Sequence, residues 1–149
     1  MQSLSHAVHF KGEKAMLRKV LLAAALTVSM SAQARHLPVP LVDPAPLTVP
    51  AVAKAVDVEK AILVSGAQRG WKAVDNKPGL VVLEYAPREF SVTVAVAYDT
   101  HSVKITYKDS SNMEYGKEGG QTVIHPNYNR WTNNLAHDIE AQLSVVVLK

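Results

Sequence analysis

His125 is the side chain best equipped for chemistry in this sequence, because it stands at the head of a dense polar run: Pro126, Asn127, Tyr128, Asn129 and Arg130. A neutral imidazole can serve as a base or a ligand near neutral pH. A general base also needs an orienting group and a substrate pocket. Asp109 and Ser110 are the candidates for that partnership, as a small hydrolase-like enzyme would use them. The structural alternative is that His125 and the asparagines satisfy open backbone donors at a helix start, a task suited to short polar side chains. The candidate functional surface is therefore His125, Asn127, Asn129, Arg130, Asp109 and Ser110, with no catalytic role assigned to any of them.

Other chemistries find less support. His36, His101, His125 and His137 include no pair at i and i+4 and no ligand motif, so no metal site is expected. The chain has no cysteine, which removes disulfides, thiolate ligands and thiol nucleophiles. Ser110 and Ser111 lack the glycines of a nucleophile elbow. Gly116, Gly119 and Gly120 do not lie between a strand and a helix at the spacing of a phosphate loop, so no cofactor is expected. Trp71, Trp131, Tyr107 and Tyr128 fall on core-facing positions and are assigned to the interior rather than to a stacking surface.

The elements that must position these residues follow from periodicity. Val58, Ala61, Ile62 and Ser65 recur at helical spacing behind Asp57 as N-cap, and Gly70 ends the helix. Gly66 inside that helix implies close packing against a sheet. The period then shortens to two. Strands are expected over Trp71–Val74, Leu80–Tyr85, Phe90–Tyr98 and Ser102–Lys108, joined by links so short that neighbours must be antiparallel. From Asp109 to Thr122 turn residues and charges mark a mobile loop. Tyr128, Trp131, Leu135, Ile139, Leu143 and Val146 then form the stripe of a long final helix that Pro126 opens. The expected fold is α+β, a two-layer sandwich in which a four-stranded antiparallel meander is covered on one face by an N-terminal and a C-terminal helix.

Upstream of residue 56 the composition changes twice. Arg18 and Lys19 precede an apolar run from Val20 to Met30, and Ser31, Ala32, Gln33 and Ala34 follow, the order of a secretory signal cut after Ala34. The run is about half the roughly 20 residues needed to span a bilayer. The long lead before it makes Met16 an alternative start. Residues 1–34 are thus read as a signal peptide. Residues 35–55, with Pro38, Pro40, Pro44, Pro46 and Pro50, are read as an extended spacer, and 56–149 as a single domain.

Cleavage would also remove the net charge. Of sixteen basic and thirteen acidic residues, the leader carries Lys11, Lys14, Arg18, Lys19 and Glu13, which leaves twelve of each sign, interspersed. No basic stripe survives to replace phosphate counterions, so nucleic acid is not expected as a partner.

Gly70 and Trp71, Pro78 and Gly79, Tyr107 with Asp109 and Ser110, and the run from Ile124 through His125, Asn127, Tyr128, Asn129, Trp131 and Asn133 to Leu135 resemble a group of small exported proteobacterial proteins. Those proteins are mostly described as hypothetical or as candidate lipoproteins. The likeness covers roughly Asp57 to Gln142 and implies a compartment, the periplasm, without implying a reaction. The lipid anchor is not implied here, because this chain lacks the cysteine that would carry it.

The preferred expectation is a noncatalytic periplasmic module, without a stable membrane anchor after cleavage. It would bind an envelope protein or a cell-wall component. Its binding surface would be either the 109–122 loop or the open sheet face of Ser91, Thr93, Ala95, Ala97 and Thr106, where small side chains permit close approach.

Overall fold

A computed structural model describes residues 36–148; the expected signal peptide lies outside them. The order of elements is β1 (Val39–Pro40), β2 (Leu47–Thr48), α1 (Ala55–Gln68), β3 (Lys72–Lys77), β4 (Leu80–Tyr85), β5 (Ser91–Tyr98), β6 (Ser102–Ser111), β7 (Gly116–Glu118), β8 (Gln121–Ile124) and α2 (Asn127–Val146). The fold is α+β, with two helices and two antiparallel sheets. One sheet has five strands in the order β2-β6-β5-β4-β3, and the other has three in the order β1-β8-β7.

Two departures from expectation concern the sheets. Five strands stand where four were expected, because β2 adds to the free edge of β6 through Leu47 opposite Val103 and Thr48 opposite Ser102. The expected mobile loop of 109–122 is instead the end of β6 followed by the β7–β8 hairpin, whose tight turn uses Gly119 and Gly120 in left-handed conformation.

The proline-rich segment is extended, as its prolines require, but it is bound along its length. Val39 and Pro40 pair with Ile124 and Val123, Leu41 N–H donates to the Thr122 carbonyl, and Val49 N–H donates to the His101 carbonyl. Val49 and Ala53 are buried in the core, so the expected spacer of 35–55 is packed with the rest. Proline is tolerated here because β1 and β2 are edge strands, whose outer donors need no partner. The compact unit accordingly begins at Arg35 rather than near Val56.

Helix α1 begins two residues before the expected cap. Asp57 lies in its first turn and accepts the Lys54 N–H at 2.9 Å, tying the helix start from inside. At the other end Trp71 N–H donates to the Gly66 carbonyl and Gly70 N–H to that of Ala67, the double bond of a Schellman motif, with Gly70 at φ 83°. A Cβ on Gly66 would stand 3.2 Å from Leu83 Cδ1, which accounts for that glycine. The β3–β4 turn is two residues long. Pro78 comes first and Gly79 second at φ 83°, the type II pattern.

Along β5, Val92, Val94, Val96 and Tyr98 are buried while Ser91, Thr93, Ala95 and Ala97 are not. One core cluster joins Val81, Leu83, Val92, Val94 and Val96 of the sheet with Val58 and Ile62 of α1 and Leu135, Ile139 and Leu143 of α2. Strand β3 is exposed throughout. It is an edge guarded by Lys72, Lys77 and a bulge between Ala73 and Asp75, devices that discourage further strand pairing.

Candidate functional site

His125 follows β8 directly, and its backbone and ring are both engaged. Its N–H donates to the Met113 carbonyl at 2.7 Å, and its own carbonyl accepts the Tyr128 N–H at 3.0 Å. Nδ1 accepts the Asn127 N–H at 3.1 Å, satisfying one of the open donors at the start of α2, so the ring proton resides on Nε2. The residue is 8% exposed, and its ring packs against Phe90, centroids 5.4 Å apart, and against His36 edge to face at 5.5 Å.

The neighbouring candidates serve the same junction. Asn127 Oδ1 accepts from Arg130 at 2.8 Å. Asn129 grips the proline-rich segment at two points: its Oδ1 accepts the Val42 N–H at 3.1 Å and its Nδ2 donates to the Pro40 carbonyl at 2.9 Å. It substitutes for the strand partner that β1 lacks beyond Leu41.

Asp109 and Ser110 stand on β6 and bond to other partners. Asp109 Oδ1 accepts the Ser110 N–H at 2.8 Å, and Ser110 Oγ shares a 2.9 Å hydrogen bond with the Tyr107 hydroxyl. Among the described residues no hydrogen bond or ion pair connects His125 with either of them. The structure thus gathers His125, Asn127, Asn129 and Arg130 at one helix entry and leaves Asp109 and Ser110 on a strand.

Asp43 was not singled out from the sequence, yet it anchors the segment. Its Oδ1 accepts the Tyr128 hydroxyl at 2.5 Å and the Tyr107 N–H at 3.1 Å. Burial and this acceptor together push the Tyr128 phenol far above its ordinary range, so it stays protonated and donates. The sequence did carry a signal: Asp43 is the one acid between Glu13 and Asp57, set among aliphatic residues and prolines.

A second cluster also escaped notice. The C-terminal end of α1, β4 and the early turns of α2 line a half-open cleft of about 440 Å³, to which Trp71, Tyr85 and Trp131 bring aromatic rings and Arg69 and Arg130 guanidinium groups. Trp71 and Tyr85 rings lie 5.3 Å apart, and Tyr85 meets Trp131 edge to face at 5.1 Å. Trp71 is buried as expected. Trp131, expected in the interior, is only half-buried: it packs on the core while facing the cleft. At about 100° per residue it sits at the edge of the α2 stripe, and Thr132 takes the central position, with its hydroxyl donating to the Tyr128 carbonyl. Arg69 is held by a two-pronged pair with Asp138, which keeps that carboxyl below the usual carboxylate range.

Among the described residues no three metal-ligating side chains cluster, and no helix is long and apolar enough to cross a membrane. No protein family, curated protein or solved structure matches the chain.

Proposed function

We propose that this protein is a noncatalytic module of the bacterial periplasm that recognises an envelope protein through the open face of its five-stranded sheet. The observation carrying this reading is the composition of that face. The strand register aligns Val82, itself buried, with Ala95 and Thr106 across its centre, with Leu80, Ala97 and Lys104 on one side and Glu84, Thr93 and Asp109 on the other. A smooth middle flanked by charges of both signs suits a protein surface of mixed charge, and small side chains let another backbone come close. The reading takes both helices to cover the opposite face in a two-layer sandwich, which the alternating burial along β5 supports.

Export is part of the proposal, as is kinship with the small exported proteobacterial proteins. The compact unit starts at Arg35, so a cut after Ala34 would remove no residue of the described sheets or helices.

A photo-crosslinking amino acid at Ala95, in cells exporting the full chain, tests the surface. A discrete adduct with an envelope protein is expected. It should disappear when Ala97→Arg is added and be absent when the probe is moved to Lys60 on α1. Equal labelling from Ala95 and Lys60 would sink the assignment.

A further inference from the structure

The cleft beside Trp131 has the composition of a ligand site, independent of the sheet face. Its volume, about 440 Å³, lies within the roughly 300–1,000 Å³ of ordinary small-molecule sites. Both tryptophans of the chain line it. Its lining carries donors that the protein leaves free. The side-chain amides of Gln68 and Asn134 make no hydrogen bond among the described residues, although both border the cleft. Arg69 uses Nε and Nη2 toward Asp138, and Arg130 uses Nη2 toward Asn127, so each guanidinium is fixed in place while keeping other N–H groups unused. Fixing them beforehand lowers the ordering cost of binding.

The charges narrow the ligand class. Arg69 is paired with Asp138, whereas Arg130 makes no ion pair among the described residues, so one positive charge at the cleft lacks a counter-charge. A planar guanidinium matches a planar carboxylate in a two-point pair. The C-terminus of α1, the negative end of its dipole, borders the cleft and weakens the binding of any anion, a compact dianion such as phosphate more than a singly charged carboxylate. Amide groups suit hydroxyl or acetamido substituents, and the half-buried ring of Trp131 offers an apolar surface to the C–H face of a sugar. We infer that this cleft binds a carboxylate-bearing saccharide, with Arg130 pairing the carboxylate, Gln68 and Asn134 reading the hydroxyls, and Trp131 supporting the ring.

Because both tryptophans line the cleft, intrinsic fluorescence of the full mature chain reports on this site directly. Titration with D-glucuronic acid and with N-acetylmuramic acid should give a saturable change in emission, with N-acetylglucosamine at least about ten-fold weaker, a difference of about 1.4 kcal/mol. Ligand-observed saturation-transfer NMR provides a second reading that does not depend on the tryptophans. Arg130→Gln and Asn134→Asp, both on the helix surface and checked for folding by circular dichroism, should weaken the acidic sugars about ten-fold or more. Neutral-sugar binding should be unaffected by Arg130→Gln. Absence of saturation by both methods through millimolar acidic sugar would overturn the inference. So would equal affinity for acidic and neutral sugars, or tighter binding of benzoate than of glucuronic acid, which would make the cleft an aromatic-acid site. A sheet-face variant such as Ala97→Arg should leave this titration unchanged, so that loss of the envelope adduct and loss of sugar binding are separate results.

Discussion

The Tyr128 hydroxyl donates to Asp43 Oδ1 at 2.5 Å across 85 positions of sequence, and with the two Asn129 bonds it joins the first turn of α2 to the proline-rich segment. The carboxylate also accepts from Tyr107, so one oxygen couples segment, sheet and helix. Asp43→Ala leaves a buried phenol and a backbone N–H without their acceptor. It should cost about 2–3 kcal/mol in urea denaturation, whereas Asp43→Asn, which keeps an acceptor oxygen, should cost less. With Tyr128→Phe, a double-mutant cycle should give a coupling of about 0.5–3 kcal/mol.

The same bond predicts a weakness in alkali. The Tyr128 phenol is raised in the folded protein, and Tyr107 is raised mainly by burial. The unfolded chain therefore loses these protons first, and the stability they contribute is complete below about pH 10 and declines as the pH rises beyond it. Tyr128→Phe should show a flatter decline, measured by urea midpoints on either side of that value.

In acid the sensitive groups are carboxylates. Asp138 is lowered by its hydrogen bonds from Arg69, and Asp99 by the backbone N–H groups of His101 and Ser102 in the β5–β6 turn. Their contribution is present above the ordinary carboxylate value and is lost as the pH falls through the depressed folded value, below about pH 4. Arg69→Gln should remove the Asp138 part of this acid loss, and Asp99→Asn the other part.

Core substitutions should follow burial rather than side-chain size. Leu135→Ala, at a fully buried position, should cost about 2–5 kcal/mol. Trp131→Ala should fall below the roughly 3–5 kcal/mol of a fully enclosed tryptophan, because its ring keeps one side toward the cleft. His125→Ala should cost about 1–2 kcal/mol through loss of the acceptor for the Asn127 N–H, the usual magnitude for a lost helix cap. Thermal or urea unfolding of the three variants gives the order directly.

A chain beginning at Val56, the boundary that composition suggests, should lose cooperative unfolding. It lacks the Asp43 acceptor, the Asn129 contacts and the buried Val49 and Ala53. A cooperative transition at the midpoint of the longer chain would contradict the packing assigned to this segment.

The parts of this fold legible in sequence are those built from local repetition. The alternation of Val92, Val94 and Val96 marks β5, Gly70 marks the end of α1, and Pro78 with Gly79 marks the β3–β4 turn. Strands β1 and β2, of two residues each, are too short to show a period. What holds them is a set of distant polar contacts from Asn129, Tyr128 and His101, which no local window contains. Likewise His125, Asn127, Asn129 and Arg130 could be grouped because they are neighbours in the chain. The cleft could not, since Arg69, Tyr85 and Trp131 meet only after the helices and sheet have packed.

The proline-rich segment is made before its partners Val103, Ile124 and Asn129, the last of which lies 87 residues beyond Val42. Its docking must therefore wait until the start of α2 has been made, and the loops it closes are long. Until α2 has emerged, Asp43 has no phenol to accept from and β1 has no strand beside it. The native state is thus delayed by the order of synthesis itself, because the segment stays undocked until the strands and the helix that hold it have been made.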